Sequence, residues 1–262
     1  MKKDYVYRIA GLGILFSVLL IWQIVVLANL VPPAVIPTAS SVLAALFTLT
    51  MNGSIPRELS ASLGRIIEGF LIAALLGISL GNIVGTRKFV EKTANPLIQF
   101  LRPMPGAILI PLAILYFGLG NLMIVMIVIY SCLWPILINT IDGVKNVDGL
   151  YFDVAQEFEV SGFAKFKKVI LPASAPLIFS GLRVSLGIAW IAEITAEILS
   201  TAPNLGLGVS IFFNMNSGNF TAMYARIIAI AIAAYVISEL FLAFEKMIIP
   251  WYEKSKRALI RA

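Results

Sequence analysis

Arg183, Trp190 and Glu197 recur seven residues apart in a stretch that is otherwise nearly all apolar, and Glu193 stands one helical turn before Glu197. On a helix this interval is close to two turns, so the three share a stripe with Gly187. A cation buried on such a stripe offers a site to an anion. The same cation paired with a carboxylate or a carbonyl only ties helices together, and both readings stand at this point. Arg102, just ahead of Pro103 and Pro105, is a second cation in apolar surroundings. Glu193 and Glu197 form the one pair of acids on a common face of an apolar helix, while Glu197 itself falls close to the outer interface.

Paired carboxylates suit acid–base work, but nothing here completes a catalytic set. The chain has no histidine and a single cysteine, Cys132. That excludes histidine-based acid–base chemistry, Ser-His-Asp and Cys-His nucleophiles, a disulfide framework and any Cys/His metal site. An intramembrane hydrolase is therefore the poorest reading, and no metal is expected.

The elements that must position these residues follow from composition. Of 262 residues, 60% are hydrophobic and 13% charged, and the mean hydropathy is +0.94. A soluble domain carries about 25% charge. So little polar surface cannot cover a water-soluble fold, and a disordered chain fails for the same reason. The composition describes an all-α integral membrane protein with room for about five or six helical spans of ~20 residues. The net charge of +6 fits basic cytoplasmic loops and gives no sign of a nucleic-acid partner.

A basic start, MKKDYVYR, leads into an apolar run from Ile9 to Val31, too long for a signal-peptide core. Residues 1–31 are read as a first transmembrane helix, closed by Pro32, Pro33 and Pro37. Residues 32–62 are read as an outer-face segment with a short interfacial helix. A second span covers about 63–84, and its Gly77, Gly81 and Gly85 form a small-xxx-small packing stripe. Pro103, Pro105 and Pro111 predict a kinked third span over 96–118. A fourth span covers 122–141, a fifth 175–199 and a sixth 224–249, with a charge-free outer segment at 200–221. Glu245 and Lys246 read as a snorkelling interfacial pair. Residues 250–262 form a basic tail.

With six spans and the N-terminus inside, the inner side holds fifteen of the twenty basic residues: Lys2, Lys3, Arg8, Arg87, Lys88, Lys92, Lys145, Lys165, Lys167, Lys168, Lys246, Lys254, Lys256, Arg257 and Arg261. The outer side holds Arg57, Arg65 and Arg226. This asymmetry predicts that both termini are cytoplasmic.

The stretch 142–172 differs from the rest, being long, amphipathic and of mixed charge. A short helix over 150–159, a turn at Ser161-Gly162 and a second helical piece over 163–170 are predicted. Phe152, Ala155 and Phe158 recur at threes and fit a groove on a partner, bordered by Asp153, Glu157 and Glu159. A solvated interfacial loop is the plain alternative.

This loop resembles the EAA loop of ABC-importer permeases, E-A-A-x3-G-x9-I-x-L-P. Asp153 stands for its Glu, Val154 and Ala155 for its two Ala, Val169 for its Ile, and Leu171 and Pro172 match outright. Glu159 replaces the motif Gly, which predicts a helix running slightly further. Leu101-Arg102-Pro103-Met104-Pro105, Ile110-Pro111-Leu112, Phe117-Gly118, Gly181-Leu182-Arg183, Ala189-Trp190 and Ala196-Glu197 resemble the nitrate, sulfonate, taurine and bicarbonate branch of those permeases.

The resemblance implies the rest. The fold would be that of a type I importer permease, with a core over 63–249 and a cytoplasmic coupling helix in the loop 142–172. Asp153, Val154, Ala155, Gln156, Glu157, Phe158, Glu159, Ser161, Leu171 and Pro172 would dock on an ATPase. Arg102, Arg183, Trp190, Glu193 and Glu197 are pathway candidates for a small anion. The partners would be a second permease subunit, most simply an identical one, two ATP-binding subunits carrying ATP and magnesium, and an extracytoplasmic binding protein. The place would be a bacterial inner membrane. The chain itself would be no enzyme and carry no cofactor, and it has no G-x-x-x-x-G-K-[ST] sequence. The alternative is an autonomous secondary transporter coupled to H⁺ or Na⁺, for which Glu193 is the candidate midplane acid.

Overall fold

A computed structural model describes residues 2–200 and 206–252. No strand occurs among them. The chain divides into two compact units, Met1–Ala61 with Leu205–Ile232, and Ser62–Asn204 with Ala233–Ala262.

In the first unit, α1 (Lys2–Leu27) is followed by α2 (Ala39–Met51) and the start of α3 (Ser54–Thr86). The end of α1 is a Schellman turn. Asn29, at φ +55°, sends its N–H to Val26 O (3.0 Å), and Leu30 sends its own to Val25 O (3.2 Å). Prolines 32 and 33 then bar any continuation. Thr38 caps α2 by accepting from Ser41 N, and Asn52 Oδ1 accepts from Ser54 N to open α3. The segment expected at the outer face is thus α2 plus the first turns of α3. The Gly- and Asn-rich outer stretch supplies α10 (Leu207–Asn216), and α11 (Phe220–Ile248) follows, with Asn219 Oδ1 accepting from Ala222 N. Residues 201–205 of that stretch, and most of the basic tail, lie outside the described residues. Trp22 and Tyr224 meet at 5.9 Å, and Arg226 grips Glu58 in a two-pronged pair with both bonds at 2.8 Å.

The second unit holds most of α3, then α4 (Lys88–Leu101), α5 (Ile110–Phe117) behind a 3₁₀ turn at Gly106–Leu109, α6 (Asn121–Lys145), α7 (Gly149–Glu157), α8 (Gly162–Lys165), a π turn at Phe166–Ile170, α9 (Leu171–Ser200) and the end of α11. Among the described residues, four helical runs are long and apolar enough to cross a bilayer: Ser54–Thr86, Asn121–Lys145, Gly162–Ser200 and Phe220–Ile248. The bent pair α4–α5 makes a fifth if it counts as one span. The first expected span, 1–31, is α1, of which Phe16–Leu27 is a shorter apolar helix and is not among the four.

The third span is not a kinked helix. Its two halves turn by 81°. Pro103 and Pro105 remove two donors; Arg102 before them is still helical at φ −53°, ψ −45°, and Pro105 is extended at φ −64°, ψ 133°. The helix before the break also begins earlier than expected, at Lys88.

Helix α6 is the axis of this unit. Gly69 faces Val128, Gly77 faces Ile136, Gly81 faces Thr140 and Gly85 faces Val144, a constant offset of 59 positions (128 − 69). A constant offset means that α3 and α6 run parallel. The glycine stripe is the packing surface expected of it, and it begins two turns earlier, at Gly69. On its other side α6 packs antiparallel to α9, with Gly143 against Ser174 and Gly181 against Asn139. Cys132 and Ser185 exchange bonds there: Ser185 Oγ donates to Cys132 O (2.8 Å) and Cys132 Sγ to Ser185 O (3.3 Å).

Candidate functional site

Three places carry the residues singled out by sequence. The first is the loop between α6 and α9. Asp148 caps α7, its carboxylate accepting from Leu150 N (3.0 Å). The helix does not run on past Glu159, as the replaced Gly had suggested. It ends at Glu157 in a second Schellman turn, with Glu159 N–H on Gln156 O (2.9 Å) and Val160 N–H on Ala155 O (2.8 Å). Glu159 sits at φ +52°, the left-handed region that Gly favours. The two hydrogen bonds hold the turn in spite of the side chain, at a conformational cost of about 1–2 kcal/mol. Ser161 then precedes Gly162 (φ +57°), which starts α8. Lys165 Nζ lies 4.8 Å from the centre of the Phe152 ring, a cation–π contact that closes the loop.

Ala155, Val160, Val169 and Pro172, far apart in the motif, line one apolar groove of about 620 Å³ together with Tyr151, Val154, Phe158 and Trp251. Ala155 is buried (3% exposed) and turned toward its own chain, so it positions α7. The residues α7 offers outward are Leu150, Tyr151, Val154 and Phe158, the last 77% exposed. Asp153, Gln156, Glu157, Glu159 and Ser161 are exposed around them, and Leu171 is half-buried.

The second place is the break between α4 and α5. Tyr130 donates to Leu101 O (2.8 Å) and fixes the end of α4 against α6. A cavity of about 540 Å³ opens there, lined by residues 102–107 and by Ser131, Trp134, Pro135, Ile138, Asn139, Ile188, Ile191, Ala192 and Thr195. A second cavity of about 510 Å³ adjoins it, lined by Glu91, Asn95, Gln99, Asp142 and Lys145 among others. Arg102 lines both. Of the five expected pathway residues it is the one that faces these spaces.

The third place accounts for the other four. The stripe of Arg183, Trp190 and Glu197 does not hold: Trp190 and Glu197 are buried while Arg183 is half-exposed. A seven-residue repeat drifts by ~20° each time round a straight helix, and the neighbours of α9 decide the rest. Glu197 is not a solvated acid. It is fully buried and ion-paired with Arg65, while Ser62 Oγ donates to it (2.8 Å). Arg65 also reaches Glu193 (3.3 Å) and donates from Nε to Asn121 Oδ1 (2.8 Å). Arg65 and Arg226, read from sequence as outer-side charges, are thus buried and paired. Arg183 pairs with Glu245, which is buried in α11 and is not the snorkelling partner of Lys246. Lys145 and Glu91 pair where α6 ends and α4 begins. Reading by composition missed Glu58, Glu91, Arg65 and Trp134. For Glu58 and Arg65 the signal was that a buried acid or base needs a counterpart; Glu91 and Trp134 carried none.

Residues 69–254 match the family described as binding-protein-dependent transport system inner membrane component. The chain is similar to the bicarbonate transport system permease protein of Synechocystis, 30% identical over 88% of this chain and 85% of that one. It is also similar to the taurine transport system permease protein of Escherichia coli, 29% identical over 92% and 89%. A third relative is the nitrate import permease protein of Leptolyngbya laminosa, 31% identical over 75% and 70%.

Proposed function

The chain belongs to the family of inner membrane components of binding-protein-dependent transport systems, in its nitrate, sulfonate, taurine and bicarbonate branch, and we propose that it forms the pathway of an ATP-driven importer for a small anion of that class. Two copies of the chain would enclose the pathway, and a binding protein would deliver the solute from outside. ATP and magnesium would be held by two separate ATPase subunits, so this chain is no enzyme. It would sit in a bacterial inner membrane with both termini in the cytoplasm.

The observation that carries this reading is the face of α7. A nine-residue helix is capped at both ends and seated by Ala155, yet turns Tyr151, Val154 and Phe158 to solvent. Large apolar side chains left outward on a rigidly capped helix suit docking into a groove on a partner. Asp153, Gln156, Glu157, Glu159 and Ser161 would border that contact, and Leu171 and Pro172 would support it from behind. Val154 fills a position where the motif has a small residue, so the ATPase groove would be correspondingly wider.

The test is purification of the tagged chain from native membranes in mild detergent, with identification of what accompanies it. An ATPase that copurifies, and is lost on Phe158→Arg or Val154→Arg, is the expected result. Ala155→Arg is unsuited, since it would disrupt the loop's own packing. A chain that purifies alone and transports in liposomes without ATP would overturn the proposal.

A further inference from the structure

Arg102 stands at membrane depth. Leu101, beside it, is bonded to Tyr130, which lies nine residues into α6 from one end and fifteen from the other. At 1.5 Å per residue that is about 14 Å and 22 Å from the two ends of the span. Arg65 and Arg226, both buried, and the half-exposed Arg183 each hold a carboxylate, whereas Arg102 is exposed to the space around it. Among the described residues, no carboxylate oxygen lies within ion-pair distance of Arg102. A cation unpaired at this depth costs about 2.5–3.5 kcal/mol unless it faces a watered space or a ligand.

The two cavities it faces differ in charge. The cavity toward Trp134 has Arg102 as its one charged lining residue and no carboxylate. The adjoining cavity balances Arg102 and Lys145 against Glu91 and Asp142. The first is therefore net positive and the second neutral.

We infer that the cavity at the α4–α5 break is a binding station for a small oxyanion, held by Arg102, so that the permease itself discriminates by charge. This rests on the proposed function, in that the bound anion is the solute in transit. At about 540 Å³ the cavity is larger than such an ion, which would enter with water and bind weakly enough to leave.

The test uses the chain purified with whatever subunits accompany it. Cys132→Ser removes the native thiol and Thr195→Cys places one in the cavity lining. The probes are an anionic (sulfonatoethyl) and a cationic (trimethylammonioethyl) methanethiosulfonate, with nitrate and ethanesulfonate as competitors. The expected result is faster labelling by the anionic reagent, with a rate ratio that falls about tenfold on Arg102→Gln and is kept on Arg102→Lys. Both competitors should slow the labelling in the Arg102 protein. A ratio unchanged by Arg102→Gln would overturn the inference. So would absence of competition, a measurement that needs no variant at position 102. Protection by phosphatidylglycerol nanodiscs alone would assign the cavity to a lipid headgroup and overturn it as well. Loss of the ATPase from the preparation counts against the proposed function, while the labelling ratio still reads the cavity.

Discussion

Gly81 and Thr140 touch where α3 and α6 run side by side: a Cβ on Gly81 would lie 2.6 Å from Thr140 Cβ. Neither helix backbone can retreat, because Gly77 and Gly85 meet Ile136 and Val144 equally closely one turn away on either side. Gly81→Leu should therefore destabilise the protein by about 1–3 kcal/mol, the usual cost of overpacking. The melting temperature in detergent reads it. Gly81→Ala should cost less, and Thr140→Ala in the same chain should recover part of the loss. A Gly81→Leu protein that melts with the wild type would show that the helices are not in contact.

Arg65 is the counter-charge for two acids, and removing it leaves both buried. Arg65→Met should cost about 3–5 kcal/mol, as for other broken buried pairs. Adding Glu193→Gln to Arg65→Met should restore stability in part, since one buried carboxyl fewer is then left without its guanidinium donor. Thermal unfolding of the single and double variants checks the order, which reverses if Glu193 is not part of the cluster.

Arg226 and Glu58 make two parallel bonds that only a planar guanidinium can supply. Arg226→Lys keeps the charge and loses the fork. We expect a loss of about 1–2 kcal/mol, with protease nicking near Gly53 appearing earlier on heating. An unchanged melting curve would mean that charge alone holds the pair.

Glu159 can be relieved of its backbone cost. Glu159→Gly removes about 1–2 kcal/mol of left-handed strain and adds about 0.5–1 kcal/mol of unfolded-chain entropy. The net gain should be about 0.5 kcal/mol, visible as slower amide exchange at Val160. Glu159→Val should speed that exchange. If neither substitution moves it, the Schellman turn is absent in solution.

Much of the fold could be read ahead because apolar runs and prolines act locally. The fourth span, expected over 122–141, is α6 at 121–145. The prolines after Arg102 announced a disturbance, since a missing N–H is visible in the letters. How far the chain turns there was not visible, because contacts distant in sequence, such as Tyr130 on Leu101 O, meet at the break. Partner choice was the least legible of all. Arg65 lies 128 positions from Glu193, and Arg226 lies 168 from Glu58. Periodicity carries no information across such distances. The seven-residue stripe in α9 misled for the related reason that spacing defines a face of one helix and says nothing of what that face meets. At Glu159 the letters pointed to a longer helix, and two backbone hydrogen bonds outweighed them.

The connection between α6 and α7 is three residues, Asn146 to Asp148, with Val147 buried and Asp148 already capping the next helix. At the other end α8, the π turn and α9 form one helical run from Gly162 to Ser200. Three residues reach at most about 10 Å when fully drawn out, and these are not free to extend. Helix α7 thus sits like a crank between two shafts, joined to the second by the four residues Phe158 to Ser161, whose turn is pinned by the bonds to Gln156 O and Ala155 O. A displacement at Phe158 would pass to α6 and α9 through these two short links. The cavity walls at Trp134, Asn139 and Thr195 stand on those same two shafts.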